Sequence, residues 1–74
     1  MSPKLARISG QQICGILERS GFTLKRVRGS HHIYTRNDIE GYVVVPVHGK
    51  EILKPKTLKS IILQAQLDTN EFIR

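Results

Sequence analysis

The 74 residues, 8.4 kDa in all, predict one compact domain over residues 1–74, because a chain this short buries only roughly 60% of its unfolded surface. Twelve Lys and Arg against six Asp and Glu leave a net charge of +6 and a pI near 10.0. That balance favours a polyanionic partner, nucleic acid first and an anionic membrane surface second. No apolar run approaches the ~18 residues of a membrane span, and Met1 to Ile8 lacks the apolar stretch of a secretory leader. Cys14, the single cysteine, has no partner for an internal disulfide and falls within an apolar helical pattern, so a buried reduced thiol and a cytoplasmic location are expected.

Ser9-Gly10-Gln11-Gln12 has the spacing of a capping box, with Ser9 and Gln12 exchanging side-chain and backbone hydrogen bonds. A first helix over roughly residues 10–20 follows, with Ile13, Ile16 and Leu17 on one face and Gly21 as a left-handed stop. Phe22 to Arg28 alternates apolar with polar or basic residues and ends at Gly29, and Ser30 to Arg36 resumes extended chain before the turn pair Asn37-Asp38. Gly41 then opens Tyr42-Val43-Val44-Val45-Pro46-Val47, a β-branched run suited to a strand that ends near Pro46, which has no amide to donate. His48-Gly49-Lys50-Glu51 reads as a turn. Pro55 suits the first position of a second helix, whose apolar stripe is Leu58, Ile61, Ile62 and Ala65, with Leu67 near its stop. Asp68 or Thr69 caps a last short turn carrying Phe72. The order is α-β-β-β-α, an α+β fold in which a three-stranded antiparallel sheet covers two helices with one face and leaves the other to water.

Three histidines, His31, His32 and His48, are the side chains of the type suited to proton transfer in neutral solution. Neighbouring strand residues point to opposite faces, so His31 and His32 cannot share a metal ion, and no Cys or carboxylate stands at ligand spacing. No metal and no cofactor is expected. Ser9, Ser20 and Ser30 sit in no nucleophile elbow. Histidine in a basic setting suits RNA, whose 2′-OH is a built-in nucleophile. A protein then need only move protons and stabilise the charge on phosphorus.

Gly29-Ser30-His31, followed by Tyr34, resembles the signature of the HicA, or YcfA-like, toxin family. The segment from Val45 through His48-Gly49-Lys50 to Pro55, then Thr57-Leu58-Lys59-Ser60-Ile61, is similar to that family's second block. The opening helix from Ser9-Gly10 to Ser20-Gly21-Phe22 is similar too, so the likeness runs over residues 9–72 in the family's order. The resemblance implies a fold like a double-stranded RNA-binding domain and metal-independent endonucleolytic cleavage of messenger RNA. It also implies a HicB-type antitoxin as partner, and it assigns the catalytic role to His31. Lys56 and Gln66 depart from the family, which often has Gly at these positions. A left-handed Gln66 would cost about 1 kcal/mol; alternatively the second helix runs on by a residue.

Several assignments stay open in the residues themselves. Ile33 shares a strand face with His31 and Tyr34 shares one with His32, so periodicity does not say which face is buried; if Tyr34 packs on the helices, His31 faces the open side. His31 is then either catalytic or an ordinary solvent-facing histidine. His32 and His48 are auxiliary candidates for proton transfer, against structural roles at the core edge and in the turn. Arg28, Ser30, Lys50, Lys54, Lys56 and Lys59 are the candidate RNA contacts. Lys54, Lys56 and Lys59 crowd the start of the second helix, where free amides and the helix dipole favour phosphate, though a merely solvated face has the same composition. A non-catalytic RNA-binding module of the same fold would keep the basic surface and ask nothing of His31. An interaction protein using the open sheet face would need apolar residues there.

Overall fold

The computed structural model describes residues 7–72. The sequence reading of the stretch Met1 to Ile8 falls almost wholly outside them. Helix α1 spans Gly10–Arg19, and both halves of its capping box are formed: the Ser9 amide donates to Gln12 Oε1 (2.8 Å) and the Gln12 amide to Ser9 Oγ (3.2 Å). At its other end the Phe22 amide donates to the Leu17 carbonyl and the Gly21 amide to the Glu18 carbonyl. This is the Schellman pair, made possible by Gly21 at φ +93°. Phe22, the residue just past the stop, is buried against Leu17 in the common core.

Three strands follow, β1 (Thr23–Arg28), β2 (His31–Thr35) and β3 (Val43–Pro46), in the antiparallel order β1-β2-β3. The register shifts by one residue at Lys25, so that Leu24 faces Tyr34 while Arg26 faces Ile33. Tyr34 pairs with Val43 and His32 with Val45. Tyr34, Val43 and Val45 are all essentially inaccessible to solvent, so their side is the one laid on the helices. His31 and Ile33 therefore belong to the open side. Helix α2, Pro55–Ala65, starts as expected with Pro55 in its first turn and buries Leu58, Ile61, Ile62 and Ala65 against the sheet side of the core. A short 3₁₀ turn, Thr69–Phe72, tucks Phe72 underneath. Each fully buried aliphatic side chain contributes about 1.5–3 kcal/mol relative to exposure, and in so small a domain these few residues carry most of the stability.

Gln66 settles the alternative left open at the end of α2: the helix stops, and Gln66 takes the left-handed conformation itself (φ 58°, ψ 37°). The Leu67 amide donates to the Ile62 carbonyl and the Gln66 amide to that of Leu63, the same Schellman pair that Gly21 makes for α1, here without a glycine. Gly10 matters for another reason. A Cβ built on it would lie 2.2 Å from the Pro46 carbonyl oxygen, so only glycine lets α1 approach the end of β3 this closely. Beyond β3 the chain is tied back by Leu53, whose amide donates to the Ile8 carbonyl, and by an isolated bridge between Ser9 and Ile52.

Candidate nucleic-acid interface

The turn from β1 to β2 contains only Gly29 and Ser30. Gly29 sits at φ +58°, which a β-carbon would oppose, and this places Arg28 directly opposite His31 on the open face. The Ser30 carbonyl accepts from the Val47 amide at 2.7 Å, pinning the turn to the chain leaving β3. His31 in turn stands opposite Pro46. One row across the sheet thus reads Arg28, His31, Pro46, and the next reads Arg26, Ile33, Val44. His31 is exposed and its side chain makes no hydrogen bond among the described residues, so the fold asks nothing of its ring.

His32 lies on the other side, half-buried and opposite Val27 and Val45. It does not share a surface with His31. Pro46 forms the boundary between the open sheet face and a cleft of about 250 Å³ lined by Pro46, His48, Glu51, Ile52, Leu53, Lys54 and Thr57. His48 is exposed in a turn closed by the Glu51 amide on the His48 carbonyl (2.9 Å), with Gly49 at φ +55° and exposed Lys50 inside it. Lys54 leads into α2 with extended backbone and no side-chain cap, and no acidic residue occupies the first turn. Lys54, Lys56 and Lys59 are exposed and, like Arg28 and Lys50, form no ion pair among the described residues. The proposed contacts therefore fall into two groups, Arg28, Ser30 and His31 at the turn, and His48 and Lys54 at the cleft, joined through Pro46. Lys56 and Lys59 extend the second group along α2.

Three features escaped the sequence reading. Arg26 lies on the open face two positions from Arg28, a spacing that alternation alone would have revealed. Lys25, at the register shift, reaches over to Tyr42: its Nζ donates to the phenol oxygen at 3.0 Å and lies 4.6 Å from the ring centre. That hydrogen bond, with the ammonium charge, holds the Tyr42 pKa below its ordinary value. Glu51 joins the cleft because its neighbours Ile52 and Leu53 are tied to Ser9 and Ile8, a long-range contact with no local signature. Val44 and Tyr42 are partly exposed, so the open face is mixed rather than purely polar.

Under the sheet, the Tyr34 hydroxyl donates to Glu18 Oε2 at 2.6 Å. Burial first, then the hydrogen bonds to Glu18 and Cys14, push the Tyr34 pKa far above the ordinary phenol value. Burial likewise raises the Cys14 thiol, partly offset by Tyr34 and reinforced by the Glu18 charge; the thiol is a core group. Arg36 stacks 4.5 Å from the Phe22 ring centre, donates to the Ser20 carbonyl and pairs with Asp38. Among the described residues no group of three or more His, Cys, Asp or Glu is placed to hold a metal ion, and no helix is long and apolar enough to cross a membrane.

Residues 10–67 match the family model described as HicA toxin of bacterial toxin-antitoxin. No curated protein matches the chain.

Proposed function

Because the chain belongs to the HicA toxin family and is thereby a toxin of a bacterial toxin–antitoxin system with an antitoxin partner, we propose that it acts as a metal-independent endoribonuclease on messenger RNA, with His31 as general acid or base. The observation that carries this reading is the position of His31: exposed, its side chain free of any structural hydrogen bond among the described residues, directly opposite Arg28 and one row from Arg26. An imidazole so placed can take a proton from a 2′-OH or return one to the leaving oxygen, and each such transfer is worth roughly 100- to 10,000-fold in rate. Arg26 and Arg28 supply fixed positive charge where phosphorus gathers negative charge. The strand of RNA runs past His31 and Pro46 toward Lys54, Lys56 and Lys59 at the uncapped start of α2, whose free amides and dipole favour phosphate. Ser30 holds the turn by its carbonyl, Lys50 flanks the cleft, and His48 at the cleft is the better placed of the two auxiliary histidines.

Nothing in the described residues covers His31, so silencing comes from outside. A HicB-type antitoxin with an acidic surface would compete with RNA phosphate for the same cations, in the cytoplasm where messenger RNA is found. The test is purified protein on RNA in excess chelator, beside His31→Ala. The wild type cuts and leaves 2′,3′-cyclic phosphate ends or their hydrolysis product, and the folded variant does not. A folded His31→Ala protein of full activity overturns the assignment, and one surface that binds RNA without any cut would make this a binding module.

A further inference from the structure

A carboxylate is out of place on a surface built for phosphate. Yet Glu51 lines the cleft between β3 and α2, within the segment that also presents Lys50, Lys54, Lys56 and Lys59. Its side chain makes no hydrogen bond or ion pair among the described residues, although lysines flank it in the chain, so it is not there to neutralise a neighbour. Its main chain already closes the turn, through the amide bond to the His48 carbonyl, and that duty needs no carboxylate. An unpaired carboxylate repels the phosphodiester backbone and attracts N–H donors, and in RNA those lie on base edges. Pro46, Ile52 and Leu53 form apolar walls suited to the flat face of a base, with Ile52 left partly exposed, while His48, Lys54 and Thr57 complete the lining with groups suited to the sugar and phosphate of the same nucleotide. A volume of about 250 Å³ lies below the roughly 300–1,000 Å³ of sites for larger ligands, which suits one base and no more.

Resting on the nuclease reading above, we propose that this cleft is a base-reading subsite in which Glu51 selects guanine in the RNA beside the cut. Of the four bases only guanine offers two adjacent donors on its pairing edge, N1–H and the 2-amino group, matched to the two oxygens of one carboxylate. Uracil has a single N–H between two acceptors, while adenine and cytosine set an acceptor beside the amino group. The base must be unpaired to enter, so the preferred substrate is single-stranded. Pro46, shared between the cleft and the row that holds His31, keeps the base next to the scissile phosphate.

The test uses the full chain and four unpaired RNAs that differ only in the base beside the cut. Wild-type kcat/KM for guanine exceeds the others by roughly 5- to 150-fold, the discrimination of one bidentate pair. Glu51→Gln, which turns one acceptor into a donor, and Glu51→Ala each erase that preference, while cleavage of the other three RNAs stays within about 2-fold of wild type. Equal slowing on all four RNAs, or an unchanged preference, overturns the proposal. Binding of the same RNAs by His31→Ala, with and without Glu51→Gln, separates the two readings. A guanine preference in binding that vanishes with Glu51→Gln upholds the base subsite even where nothing is cut, an outcome that removes only the nuclease reading. No base preference in either assay removes the subsite.

Discussion

Replacing Gln66 by glycine should make the protein more stable, the reverse of the usual effect of putting glycine beside a helix. Gln66 holds φ 58°, ψ 37°, where an L-residue is crowded against its own carbonyl at a cost of roughly 1–2 kcal/mol. Glycine is free of that crowding but gives up more conformational freedom on folding, about 0.5–1 kcal/mol. The difference favours Gln66→Gly by about 0.5–1 kcal/mol. Nothing offsets it, because the Gln66 side chain is exposed and both bonds that close α2 are main-chain bonds from Leu67 to Ile62 and from Gln66 to Leu63. In a domain of this size 1 kcal/mol moves the melting temperature by about 4–8 °C, so a rise of roughly 2–8 °C is expected. Thermal unfolding followed by circular dichroism, with urea titration as the second measure, reads it directly. Gln66→Ala is the control: it keeps the β-carbon and should leave stability within about 0.5 kcal/mol of wild type. A glycine variant no more stable than the alanine variant would refute the idea that backbone strain resides at Gln66.

Gly10→Ala forces a β-carbon to within 2.2 Å of the Pro46 carbonyl oxygen; overpacking of this kind costs about 1–3 kcal/mol, to be read by urea unfolding, and a variant as stable as wild type would contradict the close approach of α1 to β3. In alkaline titration followed by phenolate absorbance, Tyr42 should ionise below the ordinary phenol value and move up toward it in Lys25→Ala, since Lys25 is the main cause of the lowering, with a smaller part from Arg26. Tyr34 should stay neutral while the protein is folded. Its pKa is raised in the folded state, so its contribution to stability is complete below the unfolded value of about 10 and is lost as pH climbs above it; two tyrosines titrating together in a folded protein would contradict this. Neutralising Lys54, Lys56 and Lys59 together in the His31→Ala protein should flatten the salt dependence of RNA affinity, because fewer phosphate contacts release fewer counterions. An unchanged slope would place the RNA elsewhere.

The elements legible in the sequence are those whose causes are local. The Ser9–Gln12 box, the Gly21 stop and Pro55 at the start of α2 each act within one helical turn, and the structure has all three where the residues predict them. The buried face of β2 was not legible, because Ile33 and Tyr34 are both apolar enough to be core. It is decided by pairing with Val43 and Val45 on another strand. The register shift at Lys25 did leave a trace. Leu24 and Val27 are three apart, and a regular strand would send them to opposite faces, yet both lie on the helix side, opposite Tyr34 and His32. Gln66 hid its left-handed turn because the usual glycine is missing; buried-side Leu67 directly after it, as Phe22 follows Gly21, was the remaining sign. In the candidate site, His31 was legible through the family resemblance; its pairing with Arg28 follows from the two-residue Gly29-Ser30 turn, but the face the pair takes does not. The cleft was not, since its walls come from residues 46–57 and are positioned by contacts to Ile8 and Ser9.

Strand β1 is exposed at all six positions and lies at one edge of the sheet, so one rung-line of backbone donors and acceptors there has no partner within the sheet. Such an edge invites a second copy to add its own strand, and what discourages it is charge and irregularity. Lys25 breaks the register midway along the edge, and a symmetric pairing centred on residues 26–28 would bring Arg26 and Arg28 against their own kind. The cations assigned above to RNA are thus also the chain's guard against sticking to itself. Thinning them, or covering them with excess polyanion, would leave the already exposed Leu24 and Val27 along an unguarded strand. On the proposed reading, Arg26 and Arg28 serve RNA binding and colloidal behaviour at once, so a change in either residue alters both.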